Sequence, residues 1–379
     1  MRILRVAQKC YPDVKGGGPY HVHAMSRDQA AMGHDVTVLT VRYDPDRPHL
    51  ERRAGYTIVR YDPAATVLGN DLSPGVAQYL ATADDFDVLH AHSHLYVATN
   101  LAALKRVLGD VPLAITNHGL YSQNAPEWLF DLYLRTLGRW TFDRADAVFC
   151  YTEADERRVR EFGVRSRIDV VPNGVDTARF TPEGPESELI DHGGPVLLFV
   201  GRLVDGKRPM DCIDALEQLC ADHANVRLYF CGDGPLRSTL EAEAADRDLT
   251  AHVSFLGHVP YEDVPAIYRS ADVLVLPSRA EGLPRTVLEA MATETPVVVS
   301  DLPQVAPIAA TGGETASVGN TGEFADRLDR LLGDDERRAR LGKRGRERVR
   351  NGHDWSETVD RTTATLADLV DASARLERR

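Results

Sequence analysis

Two glutamates, Glu281 and Glu289, stand eight residues apart in the segment EGLPRTVLEAMA, with strand-like runs before and after it. Pro284 suits the first position of a helix, which places Glu281 in the entry loop and Glu289 in the helix. The free amides at a helix start attract a phosphate. Because each carboxylate could hold the hydroxyls of one sugar, the spacing indicates a sugar–phosphate–sugar ligand.

A second candidate group is the loop 201–207, which follows a strand-like run. Arg202 and Lys207 would project from the carboxyl end of a sheet, where two fixed cations can hold a diphosphate and neutralise it as it leaves. A solvated loop with ordinary surface charges is the alternative interpretation.

Two features of the first half could face a ligand. The loop Gly16-Gly17-Gly18 joins the first strand to a helix that Pro19 is predicted to open, so its amides could approach a phosphate. The loop lacks the dinucleotide fingerprint, and a plain flexible loop is the alternative. His118 ends a buried strand, where it could bind a sugar hydroxyl, position an acceptor, or serve only as a structural histidine.

Two segments superficially resemble metal sites. His90, His92 and His94 would lie on one side of an extended strand, but no carboxylate follows at ligand spacing, so a polar strand end is favoured. Asp44-Pro45-Asp46 resembles the D-x-D of metal-dependent sugar transferases, yet its proline favours a surface turn. We therefore expect neither a metal nor another cofactor.

The composition excludes several classes of protein. A net charge of −13 over 379 residues disfavours a nucleic-acid partner. Five scattered cysteines without a C-x-x-C pair indicate reduced thiols. No apolar run approaches the roughly 18 residues that span a bilayer, and the short N-terminal run is typical of a strand, not of a signal peptide. A cytoplasmic location is expected.

The segment 127–144 combines aromatic and aliphatic residues with three arginines. A core helix whose arginines reach out to solvent would have this composition. An interfacial helix on a membrane surface would have it as well, which would place the protein at the inner face of the membrane.

Short strands alternate with helices along the whole chain, which predicts an α/β fold with two doubly wound parallel sheets. A Pro/Gly-rich stretch between 171 and 195 separates the two halves and is the predicted linker. The expected organisation is two Rossmann-like domains, 1–180 and 190–355, that face each other across a cleft, and a C-terminal helix, 356–379, that packs back on the first domain.

Together these residues resemble the retaining nucleotide-sugar glycosyltransferases of family 4 (glycosyl transferases group 1), whose two-domain architecture is called GT-B. The resemblance covers most of the chain. It lies in the glycine loop at 16–18 with GHDVTV at 33–38, VPNGVD at 171–176, GDGPL at 232–236, and the paired glutamates. It implies that the first domain is the acceptor side and the second binds the nucleotide sugar.

The resemblance also implies roles for individual residues. Glu281 would contact the transferred sugar and Glu289 the ribose, while Arg202 and Lys207 would grip the diphosphate. The remaining implied positions are Gly282, Leu283 and Pro284 in the donor pocket, Gly17 and Gly18 facing the phosphates, and His118 near the reacting sugar. This chain has Gly-Leu-Pro where the family often has Gly-Phe-Gly, which leaves the sugar unidentified.

The implied reaction moves a hexose-type sugar from a nucleotide-diphosphate donor to a glycan, glycolipid or lipid-linked acceptor, with retention of configuration and without a metal. One alternative is a nucleotide-sugar 2-epimerase on the same fold, which would consume the donor without an acceptor. Another is a non-catalytic glycan-binding protein. The sequence names neither the sugar, the base, the acceptor nor the oligomeric state.

Overall fold

The computed structural model describes residues 1–67, 69–120, 127–191 and 193–377. Its chain forms two compact units: unit 1 is Met1–Pro172 with Thr358–Arg379, and unit 2 is Asn173–Glu357. The unit boundary lies inside the Pro/Gly-rich stretch. The last two residues of the predicted C-terminal helix, Arg378 and Arg379, lie outside the described residues.

Unit 1 begins with a sheet whose strands alternate with helices. Its strands are β1 (Arg2–Val6), β2 (Asp35–Val41), β3 (Leu50–Arg53), β4 (Tyr56–Tyr61), β5 (Ala65–Val67), β6 (Asn70–Leu72), β7 (Val88–His92), β8 (Leu113–Thr116), β9 (Ala147–Cys150) and β10 (Ile168–Val170). Its first helices are α1 (Gly17–Ala31), α2 (Pro74–Thr82), α3 (Val97–Leu108), α4 (Glu127–Tyr133), a π-helix (Leu134–Gly138), α5 (Arg139–Asp143) and α6 (Glu153–Glu161).

The main sheet of unit 1 has the strand order β10-β9-β8-β7-β1-β2-β4-β3. All neighbours are parallel except β3 and β4, and β5 pairs with β6 in a separate hairpin. Strands buried on both faces are near-continuous apolar runs, which is why the central strands could be predicted. The edge strand β3 (LERR) escaped prediction because its charged side chains are typical of edges.

Helix α1 starts earlier than the sequence predicts. Gly16 is its N-cap with φ 135°, and Gly17 and Gly18 already belong to the first turn, whereas we expected Pro19 to open the helix. The φ of Gly16 lies in the left-handed range that glycine adopts at little cost. The predicted glycine loop is therefore mostly the first turn of a helix, where amides lack intrahelical acceptors.

Unit 2 repeats the alternation of strands and helices. Its strands are β11 (Val196–Val200), β12 (Arg227–Cys231), β13 (Val253–Gly257), β14 (Val273–Leu276), β15 (Val297–Ser300) and β16 (Gly313–Ala316). Its helices are α7 (Pro209–Leu219), α8 (Arg237–Asp246), α9 (Val264–Arg269), α10 (Arg285–Ala292), α11 (Ala306–Gly312), α12 (Thr321–Leu332) and α13 (Asp335–Arg350), and a 3-10 turn spans Asp205–Lys207.

The six strands of unit 2 form a fully parallel sheet with the order β13-β12-β11-β14-β15-β16. The chain order reverses between β11 and β14, as it does between β1 and β7 in unit 1. Open α/β sheets bind ligands outside the carboxyl ends of the strands at such a switch point. Each unit therefore offers one edge at which a site is expected.

The last helix, α14 (Trp355–Glu377), passes from unit 2 into unit 1. In unit 1 its Thr358 hydroxyl donates to the Pro172 carbonyl at 2.9 Å, and Leu366 and Leu369 join the apolar core. The C-terminal residues thus complete the core of unit 1.

No helix of the described ranges is long and apolar enough to cross a membrane. The segment that starts at α4 is mixed. Phe130 and Phe142 are buried, whereas Trp128 is 69% exposed and Leu132 52% exposed. The segment thus has one face in the core and one exposed apolar face. The first fits the interpretation as a core helix, and the second fits the interpretation as a helix on a membrane surface.

Candidate functional site

Two glycines of unit 2 let the loop after β11 lie close to the loop after β12. A Cβ on Gly232 would lie 1.9 Å from the Gly201 carbonyl oxygen, and one on Gly234 would lie 2.4 Å from the Leu203 carbonyl oxygen. The Leu203 amide donates to the Asp233 carbonyl at 3.0 Å. The glycines of the GDGPL motif therefore fix the path of the loop that carries Arg202 and Lys207.

The structure joins Lys207 to Glu281 in an ion pair at the switch point of unit 2. Their side chains are only 13% and 5% exposed. The two loops are also tied by a bond in which the Arg279 amide donates to the Gly206 carbonyl at 2.9 Å. Arg202, on the same loop as Lys207, is exposed.

The loop between the two glutamates is buried and held by side chains from elsewhere in unit 2. Asn173 donates its amide to the Leu283 carbonyl at 3.3 Å, and Gln304 donates to the carbonyl of Glu281. Pro284, which we predicted to be the first helical residue, is the N-cap of α10, and the helix begins one position later at Arg285. Gly282, Leu283 and Pro284 thus lead directly into the free amides of the first turn of α10.

Glu289 lies in α10 and is held at both carboxylate oxygens. Tyr261 donates to Oε1 at 2.8 Å, Tyr268 donates to Oε2 at 3.0 Å, and the Arg285 guanidinium lies 3.6 Å from Oε1. Burial, and then the charge of Glu289, raises the pKa of Tyr268 well above its ordinary value, so this phenol keeps the proton that it donates.

Arg285 is a site residue that the sequence analysis missed. Its guanidinium donates to the Gly174 carbonyl at 2.8 Å and lies over the Trp355 ring at 5.3 Å. The spacing of Arg285 and Glu289, four residues apart in a predicted helix, was a signal that could have revealed the pair. No comparable signal pointed to Tyr261 or Tyr268, which come from another segment.

In unit 1, His118 is bound at both ring nitrogens. Nδ1 forms a 2.8 Å hydrogen bond with the Tyr151 hydroxyl, and Nε2 forms a 3.0 Å bond with Nδ1 of His92. The Tyr151 hydroxyl also lies 3.4 Å from Nδ1 of His21. Burial lowers the pKa of His118 to about 4, so this ring is neutral at pH 7.

A buried arginine lies beneath these histidines. Arg5 has no exposed surface and donates to Ser26 at 2.6 Å, to Gln29 at 2.5 Å and to Nδ1 of His90 at 3.3 Å. Because a guanidinium only donates, Nδ1 of His90 accepts, and its Nε2–H donates to Thr116 at 2.7 Å. Burial lowers the pKa of Arg5 to about 9.

The prediction that three histidines share one side of a strand is wrong for His94. Strand β7 ends at His92, and Ser93 has φ 66°, which turns the chain. The His94 ring consequently lies among aromatic core residues, 4.8 Å from the Phe142 ring. Only His90 and His92 remain neighbours, with ring centroids 4.4 Å apart.

Asp44 and Asp46 form a turn, as their proline suggested. The Asp46 amide donates to the Asp44 carboxylate at 3.0 Å, and Arg47 lies 3.5 Å from the same carboxylate. Across the described part of the chain, no three His, Cys, Asp or Glu side chains are grouped so as to hold a metal ion.

Two family models match the chain in tandem. "Glycosyltransferase Family 4" matches residues 15–179, and "Glycosyl transferases group 1" matches residues 181–348. Among curated relatives, the glycogen synthase of Mycobacterium tuberculosis is 29% identical over 97% of this chain and 94% of its own. The D-inositol 3-phosphate glycosyltransferase of Corynebacterium efficiens is 30% identical over 76% of this chain and 72% of its own.

Solved structures share the fold. Sucrose-phosphate synthase from Thermosynechococcus elongatus superposes with a TM-score of 0.83 at 20% identity, covering 98% of this chain and 100% of that one. Anabaena HepE in complex with UDP-glucose gives 0.81 at 21% identity, covering 97% and 100%. The chain belongs to the group 1, family 4 glycosyltransferases. It is a glycosyltransferase with two Rossmann-like domains of the GT-B type.

The buried histidines of unit 1 predict a loss of stability in mild acid. Burial lowers the pKa of His118 and His23 to about 4 and that of His94 to about 3, against 6.5 in an unfolded chain. As pH falls below about 6.5 the unfolded chain binds more protons, and each such histidine then lowers the free energy of unfolding by up to about 1.4 kcal/mol per pH unit. Urea unfolding between pH 7.5 and 5 measures this slope.

A variant isolates one contribution to that slope. Because His94 lies among aromatic rings, His94→Leu removes a titrating group while keeping an apolar neighbourhood. We expect the slope of the free energy of unfolding against pH to decrease by the contribution of one proton, about 1.4 kcal/mol per pH unit below pH 6. A wild-type free energy of unfolding that stays constant from pH 7.5 to 5 would contradict the burial of neutral histidines.

Proposed function

We propose that the protein transfers a hexose-type sugar from a nucleoside-diphosphate donor to a glycan, glycolipid or lipid-linked acceptor, with retention of configuration and without a metal ion. The observation that carries the proposal is the Lys207–Glu281 ion pair at the switch point of unit 2. That pair lies where open parallel sheets bind ligands, beside the loop that leads into α10.

An ion pair at this place is suited to exchange partners when a donor binds. A diphosphate offers Lys207 more negative charge than one carboxylate does, and the first-turn amides of α10 and the exposed Arg202 add further positive potential. Once Lys207 turns to the phosphate, Glu281 becomes available to accept hydroxyls of the transferred sugar. Glu281 and Lys207 are therefore the proposed sugar and diphosphate contacts.

Glu289 is the proposed ribose contact. A carboxylate has about four lone-pair positions, and its bonds with Tyr261 and Tyr268 leave capacity for further donors. The two phenols hold the carboxylate in one orientation before a ligand arrives, so less entropy is lost on binding. HepE, whose structure contains UDP-glucose, has the same fold, which supports a nucleotide-sugar ligand.

The proposed chemistry places the developing charge on the leaving diphosphate. The bond between the anomeric carbon and the phosphate oxygen breaks, and the acceptor oxygen attacks the same face of the sugar. The acceptor proton passes to the leaving phosphate oxygen. Lys207, Arg202 and the α10 amides would stabilise that diphosphate in place of a divalent metal.

The exposed apolar face of α4 is the proposed contact with a membrane. Trp128 and Leu132 lie four residues apart on one side of the helix, and Arg135 continues that side one turn later. An aromatic and an aliphatic residue next to arginines suit the interface of an anionic bilayer. Such a contact would bring the enzyme to lipid-linked acceptors.

A thermal-shift panel tests the donor. We expect one of the UDP-, GDP- or ADP-linked hexoses to raise the melting temperature, because a ligand at 100 times its Kd stabilises by about 2.7 kcal/mol. Activity with that donor should persist in excess EDTA. Strict dependence on a divalent metal would remove the metal-free proposal, and donor loss without any acceptor would favour the epimerase.

Replacing the cation tests the phosphate contact. Lys207→Ala is expected to lower kcat by about two to three orders of magnitude, the usual effect of removing one preorganised group that stabilises transition-state charge. Lys343→Ala is the matched control, since Lys343 is exposed on α13. Near-normal turnover by Lys207→Ala would take this residue out of the mechanism.

Vesicle binding tests the membrane contact. The wild type should cosediment with anionic phosphatidylglycerol vesicles, and Trp128→Ser combined with Leu132→Ser should weaken binding about 100-fold, given about 1.5 kcal/mol for each of the two apolar side chains that is buried. Leu50→Ser is the control, because Leu50 is 62% exposed on the edge strand β3. Equal sedimentation of wild type and double variant would exclude this face.

A further inference from the structure

We propose that Tyr151 and His21 position His118 through an exchangeable hydrogen bond, and that Gly18 keeps open the space in which a substrate hydroxyl takes the place of Tyr151 at His118 Nδ1. The inference deepens the proposed function and rests on it. The ligand chemistry is a hydroxyl of a sugar or polyol, supplied by the donor sugar or by the acceptor.

His118 has no ring nitrogen left over in the structure. A neutral imidazole has one N–H and one lone pair, and here Tyr151 occupies Nδ1 while His92 occupies Nε2. A substrate hydroxyl can therefore bind this ring only by replacing one of the two partners. Which partner leaves depends on what each can bond to afterwards.

Tyr151 is the partner that can be replaced at small cost. Its hydroxyl already lies 3.4 Å from Nδ1 of His21, so it keeps a partner when it leaves His118. His92 is 2% exposed, and its Nε2 has no hydrogen-bond partner in the described ranges. Displacing His92 would leave both of its ring nitrogens buried and unpaired, which costs about 1–3 kcal/mol for each group.

The space for the incoming hydroxyl lies beside Nδ1. A Cβ built on Gly18 would be 4.0 Å from His118 Nδ1, with no nearer atom within that distance. Gly18 and His118 also line a small cavity of about 90 Å³, together with Gln8, Lys9, Ser93 and Tyr96. This volume equals about three waters at about 30 Å³ each, which is enough for a hydroxymethyl group or a ring edge.

Helix α1 carries both Gly18, which borders the open space, and His21, which can bond to Tyr151. Gly18 and His21 are three residues apart, so they share one side of the helix at its first turn. The His21 ring meets the His118 ring edge to face, with centroids 5.3 Å apart and an interplanar angle of 86°. A helix that starts at Gly17 therefore sets the distance between the open space at Gly18 and His21. We call His21 the reserve partner of Tyr151, because the Tyr151 hydroxyl can bond to it after leaving His118.

The first test fills the space without straining the backbone. Gly18 has no left-handed φ, and a Gly18→Ala methyl would make an ordinary contact, so the variant should keep the wild-type melting temperature. We expect kcat/KM to fall at least tenfold. Gly109→Ala is the control, because its Cβ would also make only an ordinary contact, 3.6 Å from the Lys105 carbonyl oxygen. An unchanged kcat/KM in Gly18→Ala would overturn the inference.

The second test separates positioning from packing. His21→Leu removes the reserve partner of Tyr151 and should lower kcat/KM at least fivefold, while His21→Asn, whose amide can occupy the place of Nδ1, should recover most of that loss. Tyr151→Phe removes the hydroxyl that the substrate must displace, so it should not lower kcat/KM, and His21→Leu should cause no further loss in the Tyr151→Phe background. A His21→Leu loss that persists in that background, or equal rates for the Leu and Asn variants, would assign His21 a packing role only.

Two further readouts complete the experiment. If the hydroxyl belongs to the donor, Gly18→Ala raises the KM for the donor in slow hydrolysis without acceptor; if it belongs to the acceptor, only the acceptor KM rises. Nucleoside-diphosphate binding by unit 2 should be the same in wild type and all unit 1 variants. A wild type that neither binds nor turns over any nucleotide sugar refutes the proposed function itself, whereas an active wild type with an equally active Gly18→Ala refutes this inference alone.

Discussion

The site of unit 2 depends on one buried ion pair between residues that are 74 positions apart in sequence, Lys207 and Glu281. Burying two charges is favourable only when they meet in good geometry, since either charge alone would be uncompensated. The sheet provides that geometry because β11 and β14 are neighbours, so the loops after them share one edge. The backbone bond between Gly206 and Arg279 joins the same two loops, and Gln304, from the loop after β15, holds the Glu281 carbonyl. The proposed ligand carries negative charge for Lys207 and hydroxyls for Glu281, so it could replace each partner of the pair.

Unit 1 is organised by neutral groups at the corresponding edge. Burial lowers the pKa of His90, His92 and His118, which keeps these rings uncharged, and the guanidinium of Arg5 lowers the pKa of His90 and His92 further. Arg5 itself is paired with neutral groups, and Gln29 links it onward to Thr363 of α14 at 2.9 Å. Hydrogen bonds in such low-dielectric surroundings are electrostatically stronger than in water. The two units thus differ at this edge of their sheets: unit 2 has a charge pair, and unit 1 has a network of hydrogen bonds around one buried arginine.

Much of the fold followed from local patterns. Apolar runs of strand length, separated by helical segments, predicted the central strands of both sheets. The proline between the two glutamates placed Glu281 in a loop and Glu289 in a helix. Boundaries were less accurate: α1 begins at Gly17 and α10 at Arg285 because helix capping depends on backbone dihedrals that neighbouring loops impose. The edge strand β3 and the short hairpin of β5 and β6 lacked an apolar pattern, since little of their surface is buried.

The sequence by itself determined the class of fold, the family and the positions of the motifs, because periodicity, glycine turns and helix starts are local properties of the chain. Tertiary structure decided which side chains meet. Sequence spacing could not show that Lys207 pairs with Glu281, that Tyr261 and Tyr268 hold Glu289, or that both nitrogens of His118 are occupied. It could not separate His94 from His92 either, because a single left-handed residue, Ser93, redirects the chain. The physical reason is that parallel sheets bring distant strand ends to one edge, and only the strand order states which ends are adjacent.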